Sequence, residues 1–192
     1  APTSASFTHG VWTGNVTVLQ TATAMYLRAD DGSGHVANGN TFDVAATPFD
    51  FGDAPSPYPT TAANNGARHA LVSGLRLGSE VDPEGDGQPS ADATLDDTTG
   101  TPDDEDGVLF STPFYLGRDA MIEVTASAAG RLDAWIDWND DGDWADSGEK
   151  VCDNVSLTAG PNTLTVAVPA TATLTSQTFA RFRLSSTGDL SF

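Results

Sequence analysis

The sequence predicts an all-β protein, a β-sandwich of immunoglobulin or jelly-roll type. Three observations predict it. Nineteen Gly and eleven Pro in 192 residues suit tight turns rather than helices. Thr, Val and Ala are abundant, and β-branched residues fit a pleated surface. From Gly107 onward, short apolar runs return at intervals of roughly ten residues, and no run carries a helical period long enough for a helix.

The strands follow in order. VWTGNVTVL (residues 11–19) and AMYLRA (24–29) read as short strands before the turn-rich DDGSGHVANGN. Residues 43–61 carry Pro48, Pro55, Pro57 and Pro59, each denying a ladder its donor. That stretch is an interdomain linker or an irregular wrapped loop, and a boundary is placed near Pro48. Residues 1–47 are then a strand segment, and residues 48–192 an acidic-loop region followed by the sandwich. RHALVSGLRL (68–77) reads as a strand broken at Ser73-Gly74. VLF, AMIEVTA, LDAWID, NTLTVAV and FARFRL complete the set. In Leu132, Ala134, Ile136 and in Leu164, Val166, Val168 the apolar residues fall two apart, as one buried sheet face demands.

Charge narrows the function. Asp and Glu number 27 against eight Lys and Arg, a formal net charge of −19, which repels nucleic acid and anionic membranes. The 39% hydrophobic content, with four Trp and nine Phe, separates the chain from acidic disordered segments. Cys152 is the single cysteine and closes no intrachain disulfide. No run approaches the ~20 apolar residues of a membrane span. The N-terminal APTSASF lacks the features of a signal peptide, so the chain is expected to be a fragment or mature piece of an exported protein. A small secreted domain without disulfides needs another staple, and metal is the candidate.

The sharpest motif is DWNDDGDWADSGE, residues 137–149, directly after LDAWID. Calcium takes six to eight oxygen ligands, and acids at alternate positions with a Gly at the bend turn several onto one point. The expected ligands are Asp137, Asn139, Asp141, Asp143 and Glu149, with Asp143 also able to offer its carbonyl. Asp140 and Asp146 are expected to face water. Glu149 stands one residue beyond the twelfth position of a helix-flanked calcium loop. A solvated acidic turn is the bland alternative, but six carboxylates lie within these thirteen residues and repel one another.

Residues 80–106 hold eleven carboxylates and no Lys or Arg. Either the segment is a solvated loop, or Asp82, Glu84, Asp86, Asp104 and Asp106 hold one or more further ions. Trp138 and Trp144 flank the calcium loop and are candidates for a sugar-stacking platform, the alternative being core.

Catalysis finds little support. His9, His35 and His69 are scattered, with no HExxH and no zinc spacing. A glycosidase acid needs an apolar pocket rather than an acidic cloud, and self-cleavage at Asp82-Pro83 has no supporting spacing. Asn15-Val-Thr and Asn154-Val-Ser are glycosylation triplets of the kind that arise by chance.

Two stretches resemble known text. Residues 50–108, DFGDAP through DDEDGV, are similar to a segment repeated in large bacterial surface and secreted proteins. LDAWIDWNDDGDWADSGEKV, followed by FARFRLSS, resembles the GEVED domain. Together they cover residues 50–186, while residues 1–47 resemble, more loosely, the closing strands of an immunoglobulin-like repeat. The resemblance implies extracellular β modules of adhesin-like or cell-envelope proteins, with calcium binding suspected and no catalytic residues to carry over. The text stops at GDLSF, before the Gly-Glu-Val-Glu-Asp of the domain's name, which leaves one strand expected outside it or from another chain. The expected function is a non-catalytic, calcium-binding structural or adhesive module at the cell surface, with neighbouring domains and a surface glycan or protein as partners. A calcium-dependent carbohydrate-binding module is the alternative.

Overall fold

The computed structural model describes residues 6–71, 74–95, 106–173 and 175–192. The chain divides into two units, Ala1–Thr47 and Pro48–Phe192.

In the first unit, β1 (Ala22–Met25) pairs antiparallel with β4 (Phe42–Val44), and β2 (Arg28–Asp30) with β3 (Val36–Asn38). The β2–β3 turn is held by Asp31, whose carboxylate accepts from the amides of Ser33 and His35. None of its described residues is buried. The expected strand at residues 11–19 does not form. Only an isolated bridge, Thr8 to Val11, is made there, because β-formers hold a strand through packing on a neighbour and Val11 and Leu19 are exposed. AMYLRA is likewise split between β1 and β2.

The second unit contains the sandwich. Its strands are β5 (Phe49–Phe51), β6 (Arg68–Ala70), β7 (Val108–Phe110), β8 (Asp119–Ala126), β9 (Gly130–Ile136), β10 (Lys150–Leu157), β11 (Gly160–Ala167) and β12 (Ala180–Ser185). Two three-stranded antiparallel sheets, β10-β9-β12 and β11-β8-β7, supply one core, and β5–β6 forms a separate two-stranded sheet. Ile122 and Val124 of β8, Leu132, Ala134 and Ile136 of β9, Val166 and Leu184 pack between the sheets. This is the face that the two-residue alternation marked.

β9 is buried on both faces, which alternation alone does not foresee. Asp133, Trp135 and Asp137 point away from the core and are nonetheless buried. The Pro-rich segment covers them: Ala54 and Tyr58 pack with Trp135 and Trp144, flanked by Phe179, Leu190 and Phe192. After Pro48 that segment is therefore a wrapped loop. β10 escaped the sequence reading because Asp153 and Asn154 interrupt its pattern. Its register shifts on both sides of Cys152, and Asn154 sits at φ 54 with its amide on Asp133 Oδ1 at 3.0 Å.

His69 on β6 accepts a hydrogen bond from Arg183 Nε of β12 at 2.9 Å. Burial, with Arg183 beside it, pushes the imidazole down to about 4.

Two predictions follow from this packing. Ile122→Ala empties a fully buried site and should lower unfolding stability in denaturant by about 2–5 kcal/mol. Met121→Ala, at the neighbouring exposed position, should change it by less than about 0.5 kcal/mol. His69 has a depressed folded pKa, so its contribution is present above its ordinary value and lost as pH falls towards about 4. Melting curves between pH 7 and pH 4 should fall less steeply in His69→Gln than in the native chain.

Candidate metal-binding loop and carboxylate pair

The loop at residues 137–149 leaves β9 and returns into β10, so its two buried acids sit at the base of a hairpin. Asp137 and Glu149 are 1% and 2% exposed. Asp137 Oδ1 accepts from the amides of Asn139 (3.2 Å) and Asp140 (2.6 Å). Its Oδ2 accepts from Gly142 N (3.0 Å) and the Tyr58 hydroxyl (2.6 Å). Burial raises this carboxyl, but the Tyr58 and amide donors outweigh it and hold it below its ordinary value. Burial and the Asp137 hydrogen bond push the Tyr58 phenol up.

Glu149 closes the loop from the other end. Oε1 accepts from Trp138 N (3.1 Å) and Oε2 from Asp146 N (3.0 Å). Burial wins here over those donors, and the charges of Asp137 and Asp146 add to it, so the carboxyl is raised. Gly142 is required at the bend. Its φ is +90, and a Cβ there would stand 2.4 Å from Pro57 Cγ.

The outer end of the loop gathers a different set. Asn139 Nδ2 donates to Asp141 Oδ2 at 3.0 Å and to Asp146 Oδ2 at 2.6 Å, so two exposed carboxylates converge on one carboxamide. Asp143 turns aside, with Oδ1 on Ala145 N at 2.7 Å. Of the five expected ligands, Asn139 and Asp141 are joined side chain to side chain, while Asp137 and Asp141 take the backbone amides of Asn139 and Asp143. Asp146, exposed as expected, joins their group.

The Asp141 and Asp146 carboxylates are the oxygen ligands that this outer end offers. Half a turn of the Asn139 carboxamide would present an oxygen beside two carboxylates, an all-oxygen cup of the kind calcium takes. Among the described residues, no three His, Cys, Asp or Glu side chains form a metal-holding group, so an ion there would draw further oxygens from the carboxamide and backbone.

Trp138 and Trp144 are not a surface platform. Trp138 belongs to the inter-sheet core, 5.7 Å from the Phe114 ring. Trp144 stacks on Tyr58 at 4.3 Å. Flanking the loop, their rings point inward and anchor it.

The second acidic segment is dispersed. Asp86 Oδ1 accepts from Ala62 N and Gly87 N, and Asp106 accepts from the amide and hydroxyl of Ser79. Asp104 lies outside the described residues. Among the described residues of this set, Asp82 and Glu84 are the two that meet. Glu84 Oε2 accepts from Phe51 N at 2.9 Å, while its Oε1 is buried without a hydrogen-bond donor. Burial, together with Asp82 and Asp50, raises the Glu84 carboxyl to about 8. This pair calls for a proton or a cation between its oxygens.

No curated protein and no solved structure matches the chain. The family model described as GEVED domain matches residues 131–191. That span runs through β9, the acidic loop, β10, β11 and β12, and this part of the chain is similar to a GEVED domain.

Proposed function

We propose that the chain is a non-catalytic, calcium-stabilised structural module of an exported bacterial surface protein, acting as an adhesive or spacer segment between neighbouring domains. The observation that carries the reading is the convergence of the Asp141 and Asp146 carboxylates on the Asn139 carboxamide. Two anionic groups are brought to one point by a fold anchored beneath them through Asp137 and Glu149. Calcium bound there would supply the positive charge that the chain itself lacks. The net charge of −19 favours divalent cations as partners and opposes nucleic acid and anionic membranes. Extracellular placement fits the millimolar affinities of calcium modules built for that environment.

Calorimetric titration of the metal-stripped chain with calcium tests this. Saturable binding is expected, weakened at least tenfold by Asp141→Ala or Asp146→Ala and unchanged by Asp119→Asn on the exposed start of β8. At free calcium about a hundredfold above Kd, stabilisation should reach about 2.7 kcal/mol, a rise in Tm of roughly 5–10 °C. A chain that takes up no calcium, or variants that bind as well as the native chain, would sink the reading.

A further inference from the structure

The sandwich carries an outer layer that is built separately from it. Residues 49–71 and 82–95 are bound to each other. Phe49 O accepts from Glu84 N and Glu84 Oε2 from Phe51 N, both at 2.9 Å. Asp53 takes Ser90 N on its carbonyl at 3.0 Å and Leu95 N on Oδ2 at 2.9 Å, and Asp86 Oδ1 takes Ala62 N. The carbonyl of Thr60 lies between Gly66 and Gly87, where Cβ atoms would stand 2.0 and 2.3 Å from its oxygen. Among the described residues, no backbone hydrogen bond joins either stretch to β7–β12.

The chain between the two stretches is fixed differently. Gly78 N donates to Thr125 O at 2.9 Å, Ser127 N to Arg76 O at 3.0 Å, and Leu77 bridges Ala126, so residues 76–78 are pinned to the end of β8. The apolar contacts divide in the same way. The cluster between the sheets takes in Leu75 and Leu77 but no residue of either stretch, whereas Ala54 and Tyr58 pack in a second cluster, on Trp135 and Trp144.

Side chains cross between the layers. Gln177 Nε2 donates to Ala91 O at 3.3 Å, and Arg183 donates to His69 Nε2 at 2.9 Å and to Arg68 O at 3.4 Å. The bond from Tyr58 to Asp137, 2.6 Å long, is the buried crossing among these, with the two residues 3% and 1% exposed, and an ionised acceptor makes it the strongest kind. Beside it, Pro57 fills the space that a Cβ on Gly142 would need. Two adjacent residues of the Pro-rich segment thus hold both the Asp137 carboxylate and the bend of the acidic loop.

We propose that residues 49–71 and 82–95 form a strap that lifts from the sandwich as one unit while the sheets stay folded, with the Tyr58–Asp137 bond as its latch. A segment with its own hydrogen bonds and few apolar contacts to the main core opens at lower cost than that core. Lifting the strap takes Pro57 from Gly142 and the hydroxyl from Asp137, so the loop at residues 137–149 loses its grip in the same event, and Trp135 and Trp144 come to the surface. The strap therefore sets whether the loop is held in its bend. The latch consists of protein groups alone and needs no ion in the loop.

Amide hydrogen exchange of the 192-residue chain, read residue by residue by NMR in calcium-free buffer where rates report opening equilibria, tests the strap. In the native chain the amides of Phe51, Glu84 and Ser90 should exchange roughly tenfold or more faster than those of Ile122 and Val124. Ile122→Ala lowers the stability of the sandwich, so it should quicken the Val124 amide roughly thirtyfold or more and leave the strap amides within about twofold, because lifting the strap keeps that core intact. Tyr58→Phe keeps the ring and removes the hydroxyl. It should quicken the strap amides and those of Asn139, Asp140 and Gly142 together, by roughly tenfold. Strap and β8 amides exchanging at one rate in the native chain overturn the proposal without any variant, as does Ile122→Ala quickening both alike. Tyr58→Phe leaving the strap unmoved, or quickening it over an unchanged loop, overturns the latch.

Discussion

The buried carboxylate of Asp137 is the constraint on which the second unit's outer layer depends. It is nearly inaccessible to water and takes four donors, three from its own loop and one from Tyr58 across 79 positions of sequence. A buried charge is tolerated only when its lone pairs are filled. The loop must therefore curl tightly enough to aim the amides of Asn139, Asp140 and Gly142 inward, and the Pro-rich segment must cross the sheet to bring the hydroxyl. Once Tyr58 is there, its ring lies on Trp144 and near Phe179, so the polar contact and the apolar cover fix each other. Asp133 does the same four residues earlier, holding Leu190 N, Asn154 N and Lys150. The outer face of β9 is thus a row of acceptors and one indole, each fixing a different piece of irregular chain.

This arrangement explains what could be read from the sequence. Apolar alternation marks inter-sheet burial, so β8, β9, β11 and β12 were visible from Ile122, Ala134, Val166 and Leu184 and their neighbours. The cover on the outer face was not visible. Its donors come from far along the chain, and Asp133 and Asp137 look like solvent-facing positions in an alternating strand. β10 was hidden for a related reason, since its bulges follow from the Asp133–Asn154 contact and not from local propensity. At the acidic loop, the residue types and the sharp bend were legible. Which acids fold inward was not, because Asp137 and Glu149 differ from Asp141 and Asp146 only in their place relative to the strands.

The carboxylates consequently fall into two populations with different dependence on cations. Asp133, Asp137 and Glu149 are buried and satisfied by amides, a hydroxyl or Lys150, so they hold the sandwich and its cover with protein groups alone. Asp141 with Asp146, and Asp82 with Glu84, stand side by side, where repulsion is relieved only by a shared carboxamide, a proton or a cation. Binding of a divalent ion should therefore order the rim of the loop and the 80–86 stretch more than it alters the core between the sheets. A divalent ion bound there would act at the edges of the module, while its fold persists beneath.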